Sequence, residues 1–264
     1  MSKILWKANS ETKLNSNLYR FEKFISKKFD KKFNEKYEKI LNWSIKNPGN
    51  FWSSIWDFCK VKGIKSNYKI KKSKIFYKNI FLPSSSLNFA QNLLSKKTSS
   101  KAITFLSENG FREERAWKDL HNNVSKLQVF FNRIKLLNGN RVAAYTINSI
   151  ETVEAFLATA SIGAVWSSCS PDFGVKGVIQ RFAQIKPKVL FVTDRYYYNG
   201  KEINILERVP EILKKIKSIK YLIIINYPGK NFLKKNIKFK RLKVFFWNDL
   251  KEFASRKIYF KKFD

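Results

Sequence analysis

Between residues 37 and 59 the apolar residues return at helical intervals. Trp52, Ile55, Trp56 and Cys59 stand at i, i+3, i+4 and i+7, the spacing of one helix face. Pro48-Gly49 interrupts the chain just before that face, as a breaker pair should. The tryptophans therefore predict core packing rather than a platform for stacking bases, and residues 1–82 read as a helical, aromatic-rich extension. Residues 83–86 (Pro-Ser-Ser-Ser) form a loop, LNFAQNLL (87–94) a short helix, and KAITFL (101–106) a strand. Asn109-Gly110 after that strand marks a tight hairpin turn. Trp117, Leu120, Val124, Leu127 and Phe131 then recur at helical spacing, and Asn138-Gly139 is expected to end that helix in the left-handed region.

From Arg141 the pattern becomes regular. RVAAYTI (141–147) is a nearly continuous apolar strand, and Asn148 followed by Glu151 predicts a capping box. The helix it opens places Val153, Phe156, Leu157 and Ala160 on one face and closes at Gly163. AVWSSCS (164–170) forms the next strand, and Ser170-Pro171-Asp172 leads into a helix with Val175, Val178, Ile179 and Phe182 inward. Lys186-Pro187 stops that helix before KVLFVTD (188–194). A further helix is expected over residues 203–216, then a buried strand YLIIIN (221–226), with VFFWNDL (244–250) as one more strand candidate. Apolar strands alternating with amphipathic helices predict an α/β fold: a doubly wound, mostly parallel sheet covered on both faces, occupying residues 83–264. Ligands of such sheets sit at the carboxyl ends of the strands, here residues 146–148, 169–173 and 193–201.

Composition changes this picture less than it first suggests. The formal net charge of +33 raises a nucleic-acid partner. However, 43 Lys stand against 10 Arg amid many Asn, Ile, Phe and Tyr, the set that AT-rich codons supply. The charge is also uneven, at +14 on residues 1–82, +6 on 83–141, zero on 142–194 and +13 on 195–264. The best-patterned segment is the neutral one, which favours a solvated lysine surface; a non-enzymatic basic nucleic-acid-binding half-domain is the alternative. The 44% hydrophobic and 16% aromatic content predicts a packed core rather than disorder.

Cys59 and Cys169 lack a C-x-x-C spacing, and His121, the single histidine, reads as a solvated helix position. No zinc site follows from these residues, and two lone cysteines suit a reducing cytosol. The start, MSKILWKANSETK, has no long apolar core of a signal peptide, and the run 153–169 is broken by Glu154 and Gly163. A cytoplasmic protein without a membrane partner is expected. Glu113-Glu114 and Glu151 with Glu154 read as turn and first-helical-turn charges rather than acid–base pairs.

The run VAAYTI…YYYNGK, residues 142–201, closely resembles acetoacetyl-CoA synthetases, a branch of the adenylate-forming acyl-CoA synthetases. WSSCSPDFG (166–174) and QIKPKVLF (184–191) resemble that branch in particular. LNWSIKNPGNFWSSIWDF (41–58), SLNFAQNLL (86–94) and Trp117-Lys118-Asp119-Leu120 agree in the same order, with the weakest agreement at 1–30 and 228–264. The resemblance implies an acid–thiol ligase (AMP-forming) that joins acetoacetate to CoA with ATP, releasing AMP and pyrophosphate, and that in full length uses Mg. A carboxylate is a poor electrophile until its oxygen can leave as AMP, and charge growing on the phosphates must be neutralised.

The family's phosphate loop combines Ser, Thr and Gly with a Lys, because backbone N–H groups must approach the phosphates. No such segment occurs among the nine scattered glycines; the nearest pair, Gly174 and Gly177, reads as a turn into a helix. The ending KIYFKKFD resembles the segment just upstream of that loop. The expectation is therefore the first part of an adenylation large domain, with its catalytic residues downstream of residue 264, inactive alone and completed by a missing C-terminal half. A fragment of another short-chain acyl-CoA synthetase is the neighbouring alternative. No catalytic residue and no metal ligand is assigned.

The resemblance implies CoA-nucleotide contacts at Tyr198, Asn199, Gly200 and Lys201, although the Arg-rich loop of relatives is absent. Lys201 would supply charge to a phosphate, Gly200 would permit close approach and Tyr198 would lie along the adenine. Residues 170–173 would line the pantetheine tunnel, with Asp172 and Phe173 as the weaker contacts. The competing readings are a tyrosine-rich loop with a solvated lysine, and a loop in which Asp172 caps the next helix while Phe173 packs beneath it.

Overall fold

The computed structural model describes residues 4–232 and 237–263. The extreme ends of the two expected domains, residues 1–3 and 264, and residues 233–236 within the second, lie outside the described residues. The chain forms two compact units, one up to Leu87 and one of Asn88–Phe263.

The first unit opens with α1 (Ser10–Leu14), α2 (Asn17–Phe29), α3 (Tyr37–Lys46) and α4 (Pro48–Phe58). Ser16 starts α2 by accepting the Tyr19 amide at 3.1 Å, and proline occupies the first turn of α4, where its missing N–H costs nothing. The helices share an aromatic core of Phe21, Ile25, Phe33, Ile40 and Trp43. Phe21 meets Phe51 and Phe58 edge-on, with centroids 6.0 and 5.2 Å apart, a favourable quadrupole geometry. The apolar face expected of α4 is realised only in part. Trp56 is buried, but Trp52 is 44% exposed and Cys59 is exposed, while Ser53 and Ser54 turn inward. The helix ends at Phe58, and Trp52 lies against the ring of Phe81, 5.9 Å away, instead of in the core. Four two-residue strands follow, β1 (Gly63–Ile64) antiparallel to β4 (Ser86–Leu87), and β2 (Ile70–Lys71) antiparallel to β3 (Ile80–Phe81).

The second unit begins with α5 (Phe89–Leu93), capped by Asn88, which accepts the Gln91 amide at 3.2 Å. Strands β5 (Lys101–Leu106) and β6 (Arg112–Ala116) form a hairpin, with Gly110 at φ +81 in its turn. Helix α6 (Trp117–Arg133) stops five residues before Asn138-Gly139. Lys135 takes the left-handed conformation (φ +51), and the Leu136 amide bonds back to the Phe131 carbonyl at 2.9 Å. That closure buries Leu136, an apolar gain available to the earlier stop.

Next come β7 (Arg141–Tyr145), α7 (Ile150–Ser161), β8 (Val165–Cys169), α8 (Val175–Ile185) and β9 (Val189–Thr193). They are followed by β10 (Arg195–Tyr198), β11 (Lys201–Asn204), α9 (Val209–Lys215), β12 (Tyr221–Ile225), β13 (Lys243–Phe246) and α10 (Trp247–Lys251). Five strands make one parallel sheet in the order β13-β12-β9-β7-β8. Side chains alternate across it, as strand geometry requires. Val142, Ala144, Val189, Phe191, Ile223 and Ile225 join the core beneath α6, α7 and α10. Ala143, Tyr145, Leu190, Val192, Leu222 and Ile224 join the core beneath α8 and α9. The sheet is thus doubly wound and covered on both faces, as the apolar runs predict.

Three local expectations fail. Helix α7 is capped by Ser149, whose hydroxyl accepts the Thr152 amide, not by Asn148. Helix α8 is capped at Gly174, so Asp172 stands two residues too early to serve. The helix expected over 203–216 spans only Val209–Lys215, because Ile203 belongs to β11. Asn199 (φ +50) and Gly200 (φ +73) form the two-residue turn between β10 and β11, where asparagine and glycine suit the positive φ angles.

Candidate functional site

Strand β7 leads through α7 to β8 on one side, and the chain then returns past β7 to β9 on the other. Where such an order reverses, the connections leave in opposite directions and open a crevice at the carboxyl ends. A cavity of about 330 Å³ occupies that place, walled by residues 146–148, Thr152, residues 168–172 and residues 196–198. Its wall is largely hydroxyl, amide and phenol groups, with Ile147, Cys169 and Pro171 among them, and among the described residues Asp172 is the one charged residue on it. A phosphate inside would meet a carboxylate and no cation, so the cavity suits neutral polar groups such as amides. Thr152 is fixed there by donating to the Ile147 carbonyl at 2.8 Å. Burial pushes the Cys169 thiol up to about 11, with Arg181 opposing weakly, so this wall holds a protonated thiol at neutral pH rather than a nucleophile.

Tyr198 and Asp172 both line the cavity. Tyr198 is 64% exposed, at its rim. Asn199 and Gly200 form the hairpin tip outside the wall, and exposed Lys201 begins β11 directly across from Tyr198. A Cβ on Gly200 would meet nothing within 4 Å; its conformation, rather than tight quarters, calls for glycine. The Gly200 amide donates to the Glu108 carboxylate at 2.6 Å, so it is engaged within the protein. Asp172 accepts from the Ser170 hydroxyl at 2.7 Å, which stiffens the loop without capping α8. Phe173 lies beside α8 rather than beneath it, half-exposed, with the Arg181 guanidinium 4.0 Å over its ring.

The loop is held by two residues that no local pattern singles out. The wholly buried Tyr145 donates its hydroxyl to the Phe173 carbonyl at 2.6 Å and lies 3.0 Å from that of Pro171. Arg208, just before α9, donates to the Tyr145 oxygen at 2.7 Å and to the Pro171 carbonyl at 2.9 Å. Burial raises the Tyr145 hydroxyl above the usual phenol range, against the pull of Arg208. Arg195 similarly secures the β10–β11 hairpin, reaching Asp194 at 3.1 Å, Glu202 at 3.3 Å and the Asn231 carbonyl. Tyr197 donates its hydroxyl to Glu202 from the facing strand.

Of the groups expected in a turn, in a first helical turn or on a solvated face, Glu151, Glu154 and His121 are buried, whereas Glu114 is exposed. Glu113 and Glu114 lie in β6, not in a turn. Glu154 is wholly buried and Glu151 nearly so. Arg115 reaches Glu113 at 3.0 Å and Glu154 at 3.1 Å, and Asn123 donates to Glu154 at 2.7 Å. Burial pushes the Glu154 carboxyl up to about 8, and Arg115 and Asn123 offset this only in part. His121 is buried as well, its Nε2 lying 2.9 Å from the Leu94 carbonyl. These groups tie β6, α6 and α7 together, away from the cavity wall. Among the described residues no group of three or more His, Cys, Asp and Glu could hold a metal ion, and no helix is long and apolar enough to cross a membrane.

Comparison with known proteins sets this crevice in context. A family model described as AMP-binding enzyme matches residues 95–244, which hold the whole of the parallel sheet apart from the last two residues of β13. The chain belongs to the AMP-binding enzyme family. An acetoacetyl-coenzyme A synthetase of Rhizobium meliloti (strain 1021) is 36% identical over 225 residues, 85% of this chain and 34% of that protein. A malonamoyl-CoA synthetase of Penicillium aethiopicum is 30% identical over 230 residues, 84% of this chain and 31% of its own length. The structure of an acetoacetyl-CoA synthetase from Streptomyces lividans superposes with a TM-score of 0.88 at 24% identity, over 99% of this chain and 40% of that one. This likeness bears on the fold. The chain spans about a third of the length of the family relatives it matches.

Proposed function

We propose that this chain is part of an AMP-forming acetoacetate–CoA ligase and supplies its coenzyme A wall. The observation that carries the reading is the convergence of the 170–172 loop and the Tyr198 edge of the hairpin on one cavity at the switch of strand order. The neutral polar cavity suits the amide-bearing pantetheine arm. Outside it, exposed Lys201 is placed to meet a phosphate of the nucleotide, and the Tyr198 ring to lie along the adenine. Asn199 holds the turn that presents both, and Asp172 shapes the far wall, with Phe173 the next residue beyond it. ATP and Mg would serve the first half-reaction, in which an acetoacetate carboxylate oxygen displaces pyrophosphate from ATP, so that AMP can leave when the CoA thiol attacks the acyl carbon. No residue of the cavity wall or the hairpin is given a role in holding ATP or Mg. The malonamoyl relative supports a second reading for the acid alone, in which another short-chain acid is joined to CoA.

Calorimetric titration with CoA tests the wall. Lys201→Ala should weaken CoA about 5- to 10-fold at low salt, the value of one exposed charge contact near 1 kcal/mol, and leave pantetheine binding unchanged. Absence of CoA binding by the folded chain, or equal loss for both ligands, defeats the assignment. The chain alone should release no pyrophosphate from ATP and acetoacetate; turnover by it would overturn its reading as one part of the ligase.

A further inference from the structure

We propose that the opposite end of the sheet carries a second site, for a small oligophosphate anion. Parallel strands begin side by side, so their first residues form a row about 4.8 Å apart from strand to strand. The register pairs Tyr221 with Val189 on one side and Lys243 on the other. The Lys220 amide donates to the Lys188 carbonyl at 2.9 Å, and the Lys243 amide to the Lys220 carbonyl at 3.0 Å. Lys188 and Lys220 therefore stand side by side just before β9 and β12, and Lys243, level with Tyr221 and one residue further along, opens β13 at the same end of the sheet.

The row borders a groove of about 460 Å³ lined by Lys217, Lys220, Lys240, Arg241 and Lys243, with Tyr221 among its apolar members. The described residues place no carboxylate along the groove. Among the described residues, no ion pair engages any of the five cations. Arg241 is fixed in place, donating to the Leu213 carbonyl of α9 at 2.8 Å and to that of Lys217, two residues past the helix. Beside the groove, Lys188 donates to the Lys135 carbonyl at 2.6 Å, and its ammonium is lowered from the usual lysine range by burial first and then by the charge of Lys220.

What sets this place apart from the lysine-rich surface elsewhere is that five cations share one concave groove. Like charges gathered in one groove repel one another even in water. A multiply charged anion relieves several such pairs together, whereas a singly charged one relieves few. The volume bounds the occupant to the size of a small molecule, which favours a short phosphate chain over an extended nucleic-acid backbone. The groove lies at the amino ends of the strands, so the inference is independent of the coenzyme A reading.

Tripolyphosphate is the probe, titrated calorimetrically into the whole chain at 50 and 200 mM salt. One saturable site is expected, weaker at the higher salt and at least about tenfold tighter than inorganic phosphate, since several contacts act together. The K220Q/K240Q/K243Q variant should lose about tenfold or more, while K71Q/K72Q/K74Q, exposed lysines of the first unit with the same charge change, should stay within about twofold. K220R/K240R/K243R should retain binding, which separates charge from folding. Equal loss in the two glutamine variants, or no saturable binding, overturns the proposal. An RNA oligonucleotide that binds this face and resists displacement by tripolyphosphate would overturn it in favour of a nucleic-acid surface.

Discussion

Replacing Arg208 by alanine and Tyr145 by phenylalanine, singly and together, tests whether the loop at residues 171–173 is held by one coupled clamp. Arg208 gives the Tyr145 oxygen and the Pro171 carbonyl hydrogen bonds of 2.7 and 2.9 Å, with Phe173 more distant at 3.4 Å. Hydrogen bonds from a charged donor net about 1.5–3 kcal/mol when buried. Arg208 is only half-buried, so its removal should cost less, about 1–2 kcal/mol. The Y145F change removes the 2.6 Å bond to Phe173 and should cost about 1–1.5 kcal/mol. Each residue orients the other, so the double variant should cost less than the sum by about 0.5–1.5 kcal/mol, the coupling of residues in one network. Urea unfolding followed by tryptophan fluorescence measures the three values, and amide exchange over residues 170–176 localises the effect. Additivity within about 0.3 kcal/mol, or unchanged exchange there in R208A, would refute the clamp.

The remaining predictions use other parts of the second unit. The Glu154 carboxyl titrates near 8 when folded and near 4.5 when unfolded, so the folded chain holds an extra proton between those values. Its contribution is complete below pH 4.5 and is lost as pH rises through 8, at a slope of up to about 1.4 kcal/mol per pH unit. Unfolding midpoints measured from pH 5 to 8 should fall less steeply in Glu154→Gln, and an unchanged slope would contradict burial as the dominant effect. Gly163→Ala should cost about 2–4 kcal/mol, since φ is +75 and the new Cβ would lie 1.8 Å from a Phe263 ring carbon. Gly200→Ala, with a similar φ and open space, should cost about 1 kcal/mol, so equal costs would discount the Phe263 contact. A thiol reagent at pH 8 should modify exposed Cys59 quickly and buried Cys169 slowly, the latter being held up to about 11; equal rates would argue against that protonated wall.

Most of the sheet is legible in the sequence because its signal is local. RVAAY, VLFVT and YLIII are apolar almost throughout, with Arg141 and Thr193 at strand ends, as strands buried on both faces must be, and the helices between them repeat at 3.6 residues. The cavity is partly legible for the same reason. Once strands alternate with helices, the residues just after β7, β8 and β9 must meet at one edge, and Asp172 and Tyr198 do so. Asn199-Gly200 carried a hairpin signal as plain as Asn109-Gly110, and its two strands displaced the expected start of α9.

What the periodic pattern determined, then, is the class of fold, the two covered faces and the edge at which a ligand can enter. Only the tertiary structure decided which polar groups are buried and what they hold. Glu154 and Arg115 look like ordinary surface charges until β6 packs on α7, and Arg208 looks like a helix-end arginine until it meets Tyr145, 63 residues away. Ser149 rather than Asn148, and Lys135 rather than Gly139, terminate helices because packing around Ile150 and Leu136 favours those boundaries. Periodicity repeats within one turn of chain and can be read there; desolvation and hydrogen bonding depend on neighbours that only the folded chain brings within a few ångströms.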